Sequence, residues 1–302
     1  MVPTRAITVE SKKESTPNWS DQHSKSEMCL LFYQLNEDAA PGSFHLVLAC
    51  VRDEYWDRPT LPSGFWANNP SCIGGIDLQT GSGGTWLAMN REGKLAVLLN
   101  ILINEEDNTK MSRGALVSDY VKNKESNIER YLNDIAQNAD QFKDFNLILF
   151  DLKLKSTYYY TNETKDSKPM KLQSGTYAFG NTQMTKPWKK VIAGKEKFKN
   201  VLAQFSEVKD QEKLQTALFD LMSTEERYFD EEAAVEFPGK DYITAYITCR
   251  NTDIRYGSRT HTVILVDGEG NCTFLEKTLQ TPVVVNNYKW ESSSHSFRLN
   301  LD

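Results

Sequence analysis

Apolar residues along this chain change period several times. The runs CLLFYQL and FHLVLACV (29–35 and 44–51) are almost continuously apolar, the pattern of strands covered on both faces. A turn-rich segment with Pro41, Gly42 and Ser43 joins them as an opening hairpin. Segment 58–70 reads as a loop, and CIGGIDL, GGTWLAMN and KLAVLLN follow as strands, the last two linked by a turn through Asn90, Arg91, Glu92 and Gly93. The spacing then widens to three and four. Leu116, Val117, Tyr120 and Val121 mark one helical stripe, and Ile128, Tyr131, Leu132 and Ile135 a second, opened by a capping box of Ser126 and Glu129. NLILFDL, STYYYT and GTYAFGN return to strand. Two helices come next, one with Ile192, Lys195, Phe198, Leu202 and Phe205 as its stripe, the other with Leu214, Leu218 and Leu221. ITAYITC, HTVILVD and CTFLEK close the chain as strands, with HSFRLNL as a final one.

Sheet, helices, sheet, helices, sheet is not the regular alternation of a doubly wound parallel fold. It predicts an α+β protein with helices on the faces of two largely antiparallel sheets. No repeat and no proline- or glycine-rich linker divides it, so residues 28–302 read as one domain. Residues 1–27 are polar and rich in Ser, Lys and Glu, and read as a flexible extension. They lack a signal-peptide stretch, and their acidic residues do not suit a mitochondrial transit peptide.

Composition narrows the function classes. Hydrophobic residues make up 39% and charged residues 25% of 302, the profile of a globular protein. With 35 basic and 41 acidic residues the net charge is −6, which offers nucleic acid no general attraction. No apolar run approaches the roughly 20 residues of a membrane span. Cys29, Cys50, Cys72, Cys249 and Cys272 are odd in number and widely spaced, which favours a reducing compartment and no zinc site. Walker, G-x-G-x-x-G, G-x-S-x-G and H-E-x-x-H signatures are absent.

One stretch carries candidate chemistry. In HLVLACVRDEYWDRP an apolar strand runs onto Arg52, Asp53 and Glu54, followed by Tyr55, Trp56, Asp57 and Arg58. These residues suit a solvated strand end with a surface ion pair as well as they suit the rim of a cavity. In the second case Arg52 would bind an anion or lower a thiol pKa, and Asp53 would orient an amine. Cys29 opens the neighbouring strand and is the thiol best placed to join them.

MCLLFYQL, LACVRDEYWDRP, GGTWLAMNREGKLAVLLN, GTYAFGNTQMTKPWKK and YGSRTHTVILVD together resemble the NRDE-domain family of transport and Golgi organisation protein two. The blocks run from Met28 to near the end of the chain. One position of the naming motif departs, since Val51 stands where the family has Asn. The resemblance implies a four-layer αββα sandwich like that of N-terminal nucleophile hydrolases. Carried over by position, it implies Cys29 as nucleophile, Arg52 and Asp53 as its support, Asn100 and Asn181 at the oxyanion, and Arg259 assisting from a late strand. That chemistry needs a free amine on Cys29, and 28 residues precede it.

The resemblance also implies haem trafficking out of mitochondria or lysosome-like organelles, lipid and acyl-coenzyme A handling, and secretory-pathway organisation. These roles need only a pocket, with Arg52, Asp53, Glu54, Arg58, Trp86 and Arg259 as the ligand-binding set. The expected protein is a cytoplasmic haem carrier associated with haem-rich organelles, without a tightly bound cofactor, metal or nucleic-acid partner. An acyl-coenzyme A or lipid binder and a Cys-dependent amide hydrolase are the alternatives. His23, His45, His261 and His295 sit in no haem-attachment motif, so haem would be exchangeable cargo.

Overall fold

The structure, a computed structural model, describes residues 28–301 apart from 80, 82, 105, 106, 108 and 126. The proposed extension 1–27, His23 and the capping residue Ser126 lie outside the described residues.

Two seven-stranded sheets stack face to face. The first runs β10 (Gly175–Phe179), β1 (Met28–Leu35), β2 (Phe44–Tyr55), β12 (Tyr256–Asp267), β13 (Asn271–Leu279) and β14 (Trp290–Arg298), with the short β11 (Arg250–Asn251) also on β12. The second runs in chain order through β3 (Thr60–Trp66), β4 (Asn69–Asp77), β5 (Leu87–Asn90), β6 (Lys94–Asn100), β7 (Phe145–Asp151), β8 (Ser156–Thr161) and β9 (Met170–Leu172). Every pairing is antiparallel.

Side chains alternate across each strand, and both faces of the central strands find apolar cover. Leu48 and Cys50 of β2 join Leu31, Ile73, Trp86 and Val97 in the core between the sheets. Ala49 and Val51 join Phe198, Leu202, Leu214 and Leu218 under α3 (Lys189–Gln204) and α4 (Gln211–Met222). On the far side α1 (Gly114–Lys122) and α2 (Ile128–Ala136) bury Leu116, Val117, Leu132 and Ile135 against Ala96, Leu147 and Leu149. The result is the αββα order expected. Cover on both faces explains why β2 reads as an unbroken apolar run.

Several local readings change. Segment 58–70 contains β3, whose Pro62 an edge strand tolerates because its outer N–H positions need no partner. GTYAFGN does not continue the sheet of β8 but pairs with β1, Leu31 opposite Phe179. ITAYITC is no strand: α5 (Glu231–Glu236) leads to a short α6 (Asp241–Thr244), and irregular backbone runs on to β11. Asn127 caps α2, its side chain accepting from the Arg130 amide at 3.2 Å. The buried stripe of α3 is Val191, Gly194, Phe198 and Leu202, which leaves Ile192 52% exposed.

Candidate functional site

Strand register decides which charges meet. Cys29 of β1 lies opposite Arg52 of β2, and Met28 opposite Asp53. Because neighbours on a strand point to opposite faces, Arg52 and Glu54 enter the space between the sheets with Cys29. Asp53 turns to the helix side. The charged run is therefore not a solvated strand end, and it does not deliver Arg52 and Asp53 to one place.

Between the sheets Arg52 is 2% exposed. Its Nη2 donates to Asp77 Oδ2 at 2.9 Å and to Glu54 Oε2 at 3.3 Å, and its Nη1 to Thr60 Oγ1 at 3.2 Å. Arg58 Nε reaches the same two carboxylates, 2.6 Å from Asp77 Oδ2 and 3.4 Å from Glu54 Oε2. Two guanidiniums thus bracket two carboxylates, and shared partners hold all four side chains in position. Behind them Arg259 donates Nη1 to the carbonyls of Tyr55 and Arg58 at 3.1 and 2.7 Å. Arg259 does not reach a rim: it is 2% exposed, and burial with the neighbouring Arg52 charge brings its pKa down to about 10. Glu276, 2% exposed, accepts from the Ser63 amide at 2.7 Å. Burial pushes its carboxyl up to about 7 against the pull of Arg52 and Arg259.

A break in register supplies Arg259. Ser258 pairs with Asp53 but Thr260 pairs with Arg52, so Arg259 is the extra residue of a bulge. On the helix side Ser258 Oγ donates to Asp53 and accepts from the Cys249 amide at 2.9 Å. Burial raises Asp53 to about 6, opposed by the nearby Lys190. Lys190 is itself fully buried, with Nζ 2.6 Å from the Ile243 carbonyl, and burial lowers its pKa.

The opening to solvent lies on the other side of Arg52. A cleft of about 250 Å³ is lined by Arg52, Arg58, Asp77, Trp86, Leu98 and Asn100, and faced by Lys110, Arg113 and Lys143. Among the described residues its lining leaves out Cys29, Asp53, Asn181 and Arg259. Asn181 touches it indirectly, donating Nδ2 to the Asn100 carbonyl at 2.8 Å. Trp86 lines it as a largely buried ring, 6% exposed, with the Arg52 guanidinium over its face 4.0 Å from the ring centroid, a cation–π contact. Gly75 leaves room for that ring, since a Cβ there would lie 2.4 Å from its edge. Gly75→Ala should therefore displace Trp86, lowering stability by about 1–3 kcal/mol and changing the near-ultraviolet circular dichroism. An unchanged spectrum would mean that the ring is not held there.

Residue patterns missed much of this site. Asp77 carried the same signal as Arg52, a charge ending an apolar strand, in CIGGID. Glu276, Ser258 and Lys190 sit in ordinary-looking segments and meet the site only through sheet order and helix packing.

A family model described as Transport and Golgi organisation 2 matches residues 28–281. The chain belongs to the Transport and Golgi organisation 2 family. Relatives in that family include the Transport and Golgi organization 2 homologs of Mus musculus and Homo sapiens, each 31% identical over 281 residues, 90% of this chain and 99% of theirs. Transport and Golgi organization protein 2 of Drosophila melanogaster is 30% identical, over 83% of this chain and 92% of its own. Among solved structures, a Caenorhabditis elegans N-acylethanolamine-hydrolyzing acid amidase ortholog is similar at TM-score 0.44 and 9% identity, over 78% of this chain and 92% of its own. A mutant conjugated bile acid hydrolase from Clostridium perfringens also scores 0.44, at 6% identity, over 90% and 97% of the two chains. In this member of the family, Arg52, Asp53 and Glu54 are built into the fold on both faces of β2, and Val51 packs in the helix-side core.

Proposed function

We propose that this chain is a carrier that holds haem in the cleft beside Trp86 and releases it to an acceptor. The cleft's composition carries the reading: the Trp86 ring and Leu98 beside five cationic side chains, Arg52, Arg58, Lys110, Arg113 and Lys143. Such a site suits a planar ligand with carboxylates at its edge. At about 250 Å³ the cleft would seat one edge of a macrocycle and leave the remainder outside, as exchangeable cargo requires. His45, His261 and His295 do not line it, so charge would provide the hold. Membership of a family whose name refers to transport supports the same reading. Among the described residues no helix is long and apolar enough to cross a membrane.

Titration with haemin should shift the Soret band and saturate at one equivalent, and Arg58→Gln should weaken that binding while leaving the thermal transition cooperative. A shift that never saturates, or one that Arg58→Gln leaves unaltered, rules the cleft out.

Cysteine-dependent amide hydrolysis is a second reading, favoured by the direct register of Cys29 with Arg52 and by the linked Asn100 and Asn181. Two observations weigh against it. The backbone nitrogen of Cys29 is an amide to Met28, itself fully buried, and Cys29 does not line the cleft. Acyl-coenzyme A, the remaining alternative, would use the same cations for its phosphates.

A further inference from the structure

A second hollow lies in the helix layer over the first sheet and shares no lining residue with the cleft. It measures about 320 Å³ and is lined by Glu225, Asp241, Tyr242, Tyr246, Thr248 and Arg250. Two stretches of chain zipped antiparallel carry it: Tyr246 bridges Arg227, the Tyr228 amide donates to the Ala245 carbonyl at 2.7 Å, and the Thr248 amide donates to the Thr224 carbonyl at 3.2 Å. Thr248 Oγ1 donates to the Met222 carbonyl at 2.5 Å, which ties the end of α4 to the same stretch. The hollow is thus built on paired backbone.

Its two rings are held from behind. Ile243 and Ile247 enter the helix-side core, and Tyr242 and Tyr246, one residue before each, pack half-buried against that core while lining the hollow. Tyr256 meets the Tyr242 ring edge to face, 6.1 Å between centroids. The charges at the hollow are matched: Arg250 Nη1 lies 2.5 Å from Glu225 Oε1, and Arg227 Nη2 donates to Asp241 Oδ2 at 2.9 Å. Arg250 also sits over Tyr288, 4.8 Å from its ring centroid. Among the described residues the hydroxyls of Tyr242 and Tyr246 take part in no hydrogen bond.

We infer that this hollow is a binding site for a neutral, polyhydroxylated ring of the sugar class. Glu225 with Arg250 and Asp241 with Arg227 leave no net charge to draw an anion or a cation. A paired carboxylate still has lone pairs, and a paired guanidinium still has N–H donors, so both can serve ligand hydroxyls. Tyr242 and Tyr246 add aromatic surface for the C–H face of a pyranose and two hydroxyls for its rim. Aromatic surface with a few placed polar groups is the usual make-up of a small-ligand site. At about 320 Å³ the hollow stands at the lower end of the roughly 300–1,000 Å³ range of such sites, which suits a single ring. The inference is independent of the haem reading of the cleft.

Saturation-transfer NMR of the full chain with methyl glucoside, methyl galactoside and methyl mannoside tests it. At least one pyranoside should bind saturably, with its C–H face receiving the strongest transfer. Tyr246→Leu, which removes the ring, should weaken binding roughly tenfold. Tyr246→Phe, which removes only the hydroxyl, should weaken it about threefold. Arg250→Gln alters an exposed side chain and serves as the second variant should Tyr246→Leu lose its cooperative thermal transition; it too should weaken binding. Glucosamine and glucuronate carry the same ring with a positive or a negative charge and should bind no more tightly than the glucoside, while cyclohexanol, a ring without the polyol, should not saturate. The inference is overturned if no pyranoside saturates, if Tyr246→Leu and Arg250→Gln both bind like the unaltered chain, or if either charged sugar or cyclohexanol binds more tightly than the neutral pyranosides.

Discussion

Arg52→Ala should lower folding stability by about 3–5 kcal/mol, read from the urea midpoint near neutral pH. The side chain is 2% exposed and serves Asp77, Glu54 and Thr60 at once, while stacking on Trp86. Removing it leaves Glu54 and Asp77 to share Arg58 in the space between the sheets. The larger cost comes from that uncompensated charge and not from the lost contacts themselves. Adding Glu54→Gln and Asp77→Asn to Arg52→Ala should therefore return part of the loss. A cost below about 1 kcal/mol, the range of exposed ion pairs, would show that water reaches the cluster freely.

Glu276→Gln should stabilise the protein at alkaline pH. Burial raises the Glu276 carboxyl to about 7, whereas the unfolded chain releases that proton near 4.5. Between those values the native state binds the extra proton, so stability falls as pH rises through the window and the full penalty is present above it. Glutamine stays neutral and can still accept from the Ser63 amide. The variant should match the unaltered chain near pH 4.5 and exceed its stability by about 3 kcal/mol near pH 8. Asp53, raised to about 6, adds a similar slope at lower pH and is untouched by this substitution, so part of the pH dependence should remain in the variant. Urea titrations at the two pH values measure the difference, and equal curves at both would place Glu276 in a solvated setting.

The layers were legible because β2, β6 and β7 are long buried runs and α1 and α2 carry clear stripes. What misled was local chemistry overridden by packing. ITAYITC has the β-branched alternation of a strand, yet Ile243 and Ile247 enter the helix-side core from a short helix and a loop, with the Ala245 carbonyl bonded to the Tyr228 amide. Strand β14 carries three consecutive serines and gave little signal before His295, because an edge strand with one face open to solvent need not be apolar. Ile192 fitted the helical period but not the phase of burial. At Gly194 the α3 backbone passes so close to Phe32 that a Cβ would lie 2.5 Å from its ring, which fixes which side of the helix faces the sheet.

For the site, the adjacency of Cys29 and Arg52 was readable from two neighbouring strands. Partners that come from β4, β12, β13 and α3 were not, because sheet order brings them together across separations as large as the 213 residues between Ser63 and Glu276. The bulge at Arg259 left no trace in composition either, since one inserted residue changes register without changing the apolar pattern.

The alternation of β2 has an evolutionary meaning. Arg52, Asp53 and Glu54 are contiguous in sequence but belong to two half-sites interleaved on one strand, positions 52 and 54 between the sheets and positions 51 and 53 beneath the helices. Selection on either half acts on every second residue. Substitutions at 52 and 54 are free to vary together with positions 58 and 77, and those at 51 and 53 with positions 190 and 258. Val51 packs on the helix side alone, so a substitution there would leave the ion network facing the cleft in place.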